Sequence, residues 1–108
     1  MQIRRGFLAL AIISPASFFV PPAVAQGSCP AELATTDQRL RATLQRLETV
    51  RSAPLPRRCA VFRQHVAVMR EASATFRRCT TGRHRDENVG QMEGSIADWQ
   101  EIISRNCR

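Results

Sequence analysis

Downstream of Cys29, apolar residues recur every three or four positions in three runs, each closed by turn signals. The first, from about Pro30 to Arg51, places Leu33, Leu40, Leu44, Leu47 and Val50 on one helical face. Cys29 is placed to cap its start, with Pro30 at the first helical position and Glu32 near the positive end of the dipole. Ser52-Ala53-Pro54-Leu55-Pro56 stops it, because proline lacks a donor and restricts the residue before it.

The second run, about Pro56 to Cys79, carries the clearest pattern. Cys59, Phe62, Val66, Met69, Ser73 and Phe76 alternate by three and four, and Val61, His65, Val68 and Ala72 widen that face. A face so broad should touch two neighbours, which makes this the central helix. Thr80-Thr81-Gly82 ends it, Gly82 being suited to a left-handed C-terminal position. The third run, about Asp86 to Asn106, aligns Val89, Met92, Ile96, Trp99 and Ile103, with Asp86 or Asn88 as cap. Gly90 and Gly94 weaken it, or else allow a close backbone approach. No segment alternates with period two for long enough to compete as a strand. The pattern predicts an all-α fold, a small antiparallel up-down-up three-helix bundle.

That topology selects the disulfides. Cysteines stand only at 29, 59, 79 and 107, an even count typical of a small stapled domain. Cys59 and Cys79 share one helix about 30 Å apart at 1.5 Å per residue, beyond the ~7 Å a disulfide spans. The pairing of Cys29 with Cys107 falls with it. Joining Cys29 to Cys59 and Cys79 to Cys107 would link opposite ends of the bundle. The expected pairs are therefore Cys29–Cys79 and Cys59–Cys107. No C-x-x-C occurs, and neither His65 nor His84 has ligand spacing to a cysteine, so no metal site and no cofactor is expected.

The N-terminus reads differently. Arg4 and Arg5, the apolar stretch Phe7 to Val20 and the small-x-small Ala23-Val24-Ala25 form the grammar of a secretory signal. The stretch is interrupted by Pro15 and is shorter than the roughly 20 residues of a membrane span. The expectation is a signal peptide over residues 1–25 and one disulfide-stabilised helical domain over residues 26–108, periplasmic or secreted, with no transmembrane span. Arg4-Arg5-Gly6-Phe7-Leu8 fits a twin-arginine route and also an ordinary positive start, so the export route stays open. Cys29 lies beyond the cleavage point, but Gln26 stands where a lipoprotein signal carries an apolar residue.

Charge adds one feature. The whole chain carries +7 and, without Arg4 and Arg5, +5; every basic side chain is arginine. Arg63, Arg70 and Arg77 recur at heptad spacing and, with Arg78, Arg83 and Arg85, mark a possible strip for an anion or partner. The competing reading is surface pairing with Glu93 and its neighbours. Ala60, Ala67 and Ala74 form a smooth outward stripe on the same helix.

Catalytic chemistry finds no constellation. His65 lies on the flank of an apolar face without an acidic or nucleophilic partner, and His84 sits among arginines. Glu93, Asp98 and Glu101 belong to the outer face of the third helix, and no serine occurs in a nucleophile motif. Nucleic acid is not expected as a partner, because aromatics are scarce outside the core and the chain reads as exported. The function expected is non-enzymatic: an envelope protein that binds another protein or serves structurally. The alternatives are a basic surface binder of anionic envelope components and a periplasmic stress chaperone. Oligomeric state is not legible.

Overall fold

The computed structural model describes residues 28–108; the expected signal peptide lies outside the described residues. Three helices account for nearly all of them: α1 (Cys29–Thr49), α2 (Leu55–Cys79) and α3 (Gly82–Asn106). Ser28, not Cys29, caps α1, its Oγ accepting from the Ala31 backbone N–H at 3.5 Å. Cys29 and Pro30 then occupy the first two helical positions. α2 begins after Pro54 and no side chain caps it.

The third helix starts a full turn earlier than the apolar pattern indicated. Thr81 is its N-cap, and Gly82 opens it at φ +61°, the left-handed region that favours glycine. Asp86 and Asn88 therefore lie inside α3, where the Asn88 amide donates to the His84 carbonyl at 2.9 Å. The connection from α2 to α3 is only Thr80 and Thr81, which forces an immediate reversal.

Both predicted disulfides form. Cys29 and Cys79 have Cα atoms 5.2 Å apart, and Cys59 and Cys107 5.7 Å apart. Each joins the start of one helix to the end of its neighbour, so α2 runs antiparallel to both α1 and α3. α2 is central, as its broad apolar face requires. It supplies most of the core, including Cys59, Val66, Met69 and Ala72.

The bundle is open. α1 and α3 each pack along α2, yet no Cα atom of α1 lies within 8 Å of one in α3. The consequence shows in burial. α3 contains no fully buried residue. α1 buries Thr36 and Thr43 and leaves Leu44, one of its five expected core positions, 54% exposed. The α1 contact line is rotated away from its leucines because α2 alone receives it. A core this thin depends on its staples.

The α1–α2 register is set by three evenly staggered pairs. Arg78 meets Glu32 at 3.2 Å, Arg39 meets Glu71 at 2.5 Å, and the Arg46 guanidinium donates to Gln64 Oε1 at 3.3 Å. Each seven-residue step up α1 thus meets a seven-residue step down α2. The same register puts Thr43 level with Ala67, one position from Val66.

Candidate functional site

At 100° per residue, Leu33, Leu40, Leu44 and Leu47 fall on one side of the α1 contact line centred on Thr36 and Thr43. That side looks toward α3. Across from it, Met92, Ser95, Trp99 and Ile102 fall on the side of α3 that looks back. Between them α2 offers a floor of Arg58, Phe62, Met69 and Phe76. Three apolar stripes thus border one groove, closed below by α2 and uncovered above. Leu44 on one wall and Ile102, 38% exposed, on the other are the large apolar side chains it leaves to solvent.

The upper end of the groove deepens into a cleft of ≈ 310 Å³ lined by Leu47, Glu48, Val50, Arg51, Arg58, Phe62 and Trp99. Trp99 is fixed from below. Its ring centroid is 5.1 Å from that of Phe62 and 5.1 Å from that of His65, the histidine meeting it edge-on. His65 is 4% exposed and its Nδ1 has no hydrogen-bond partner. Burial, which disfavours the charged ring, lowers its pKa below the ordinary histidine value. The ring packs against Trp99, with no carboxylate among the described residues to orient it.

Arg58 is the polar group that sequence reasoning passed over. It is half-buried in the cleft, and its Nε is shielded from solvent with no partner. Its signal was present in the sequence: two arginines open α2 with no acidic residue in that turn.

The heptad arginines are mostly engaged within the fold. Arg77 pairs with Glu93, Arg78 with Glu32, and Arg85 with the neighbouring Asp86 at 3.5 Å. Arg63 donates to the Cys107 carbonyl at 3.1 Å, holding the end of α3 to α2. Arg70 and Arg83 are exposed, and their side chains form no ion pair or hydrogen bond with a described residue. Three of the six thus bridge helices, Arg78 from α2 to α1 and Arg63 and Arg77 from α2 to α3, and the six do not gather into one free strip.

Glu32 stands beside the lower disulfide, its Oε2 3.1 Å from Cys79 Sγ. Cys29, Cys79 and Glu32 cluster with metal-like spacing, but sulfurs bonded to each other offer no thiolate, and Arg78 already holds the carboxylate. His84 is exposed and reaches Asn88 at 3.3 Å. Glu93 and Glu101 are held by Arg77 and Arg105, while Asp98 is exposed and unpaired among the described residues. These groups do not converge on a shared point. No protein-family model matches the chain, and no curated protein or solved structure matches it.

Proposed function

We propose that this chain is an exported, non-enzymatic binding module that docks a partner protein in the groove between α1 and α3. One observation carries the reading: two helices with apolar inner stripes both pack on α2 and not on each other, leaving Leu44 and Ile102 uncovered. Apolar side chains left to solvent on both walls of a groove give a partner surface to cover. The two disulfides suit an oxidising compartment, in keeping with the signal-like N-terminus and a periplasmic or secreted location. Among the described residues, no helix is long and apolar enough to cross a membrane.

The alternative, an anionic envelope component bound by the arginine strip, is weakened by the internal engagement of Arg63, Arg77, Arg78 and Arg85. Capture from envelope extract separates the two readings. Leu44→Ser/Ile102→Ser should lose the partner, while Arg63→Ala/Arg70→Ala/Arg77→Ala keeps it. The reverse pattern, or lipid bound by wild type and lost from the arginine variant, would move the site to the strip.

A further inference from the structure

The proposed groove has one chemically distinctive place, its upper cleft. Two guanidinium groups line it. Arg51 already faces Glu48 at 3.5 Å, and both are exposed. The Arg58 guanidinium has neither ion pair nor hydrogen bond with any described residue, and its Nε is buried. Taking a cation partly out of water without an anion is costly, and a guanidinium cannot shed its proton to escape that cost.

Its position adds to the demand. Arg57 and Arg58 lie in the opening turns of α2, at the positive end of the helix dipole. That turn has no acidic residue, and no side chain caps the helix. Glu48 is the carboxylate that lines the cleft, and it faces Arg51; Asp98, next to Trp99 in sequence, is exposed and forms no ion pair among the described residues. A half-buried cation, a second cation beside it and a helix N-terminus all point the same way: an anion from outside belongs there.

The rest of the groove is apolar and linear. From Leu33 to Leu47 it follows α1 for about 21 Å at 1.5 Å per residue, some four helical turns. A helix suits such a slot, since it satisfies its own backbone and presents side chains to both walls. We propose that the occupant is an acidic amphipathic helix of another protein. Its apolar face covers Leu44, Leu47, Trp99 and Ile102, and one of its carboxylates pairs with Arg58. The fork of a guanidinium fits a carboxylate through two parallel hydrogen bonds, so Arg58 fixes the register of the incoming helix. This rests on the groove being the docking site and adds the charge of what docks.

The test uses the disulfide-intact protein and two synthetic amphipathic peptides of about 18 residues, five turns long. They share one leucine face; one carries glutamates along its flanks and the other lysines. Trp99, the single tryptophan, reports binding by fluorescence. The glutamate peptide should bind and the lysine peptide should not. Arg58→Gln should weaken binding ~tenfold or more, as loss of a charge-assisted hydrogen bond does. Arg70→Gln, equal in net charge but outside the groove, should change it less than twofold. Leu44→Ser/Ile102→Ser should abolish it.

Both peptides binding equally, and both lost in the serine variant, would keep the groove and overturn the carboxylate. Glutamate-peptide binding untouched by the serine variant would overturn the groove itself. Equal losses from Arg58→Gln and Arg70→Gln would reduce the effect to net charge and overturn the role of Arg58. Failure of both peptides to bind would overturn the proposal. If sedimentation then shows a dimer that the serine variant dissociates, a second copy of this chain fills the groove.

Discussion

The two sides of α2 are held by different physics. Toward α1 the interface is polar: buried Thr36 and Thr43, with Glu32–Arg78, Arg39–Glu71 and Arg46–Gln64 spaced along its edge. Toward α3 it is aromatic and aliphatic: Trp99 on Phe62 and His65, with Ile96, Ile103, Met92 and Val89 on the same helix, and one cross-helix ion pair, Arg77–Glu93. Exposed ion pairs contribute ~0–1 kcal/mol each, whereas apolar burial contributes ~25 cal/mol per Å² removed from water. α1 is therefore positioned more than it is glued, and α3 is glued. Leu33, Leu40 and Leu47 are half-buried along the groove, and Leu44 is left to solvent.

The sharpest way to break this comparison is to cut the disulfides one at a time. Each closes a loop of about 50 residues, worth about 4 kcal/mol in the chain-entropy model. Cys29→Ser/Cys79→Ser should release α1 while α2 and α3 stay packed, with part of the helical circular dichroism lost and Trp99 emission kept. Cys59→Ser/Cys107→Ser should lower global stability by a similar amount but shift Trp99 only on unfolding. If the first variant moves Trp99 as far as unfolding does, α1 is integral to the α2–α3 pair and the two sides are not separable.

Next in size is Trp99→Ala. Removing a large aromatic costs ~3–5 kcal/mol when it is fully buried. Trp99 is only part-buried, so about 2–3 kcal/mol is expected from the urea midpoint. Leu44→Ala on the opposite wall, already exposed, should cost well under 1 kcal/mol by the same measure. Comparable losses from the two would mean that α1 is held by its leucines after all.

Acid tests the junction where the two sides meet. Trp99 faces His65 from α3, and no carboxylate among the described residues pairs with the ring. Its folded pKa is lowered, so the unfolded chain binds the proton more readily. Stability from this residue is complete above the ordinary value of about 6.5 and falls as pH drops below it. Melting temperature should decline from pH 7 to pH 5, and His65→Gln should flatten that slope. A slope left unchanged in the variant would assign it to other groups.

How much of this was legible in the sequence follows from what each pattern encodes. Heptad spacing located α2, its two-sided face and, through helix length together with the up-down-up topology, both disulfide pairs. It misplaced the start of α3 because a polar opening turn, Gly82 to Arg85, has no apolar period to count. It also assigned Leu44 to the core, since periodicity reports which residues share a face and not whether a neighbour arrives to cover it. The pairing of Arg77 with Glu93 was foreseeable from charge; the solitary Arg58 required the absence of a partner to be seen in three dimensions.

A milder test probes the polar side from within. Thr43 is 3% exposed, and its Oγ1 has no hydrogen-bond partner. Valine has nearly the same shape without the unsatisfied hydroxyl. Thr43→Val should raise the urea midpoint by about 1 kcal/mol equivalent, the scale of a buried polar group left unpaired. No gain, or a loss, would mean that the hydroxyl is satisfied by water, and that the α1 interface is wetter than its burial indicates.

The smallest effect lies on the outer face of α3 and separates packing from propensity. Gly90 and Gly94 are exposed within the helix, and a Cβ added at either meets nothing within 4 Å. The close approach that glycine could have permitted is not used, so each residue only weakens the helix that the aromatic interface then holds. Gly90→Ala and Gly94→Ala should each raise stability by ~0.5–1 kcal/mol, the helix-interior difference between the two residues. Because α3 is held chiefly by its inner face, the gain should appear in thermal melting without altering Trp99 fluorescence. A loss in either variant would reveal a second surface pressed against that face, and α3 would then be covered on the outside as well as anchored within.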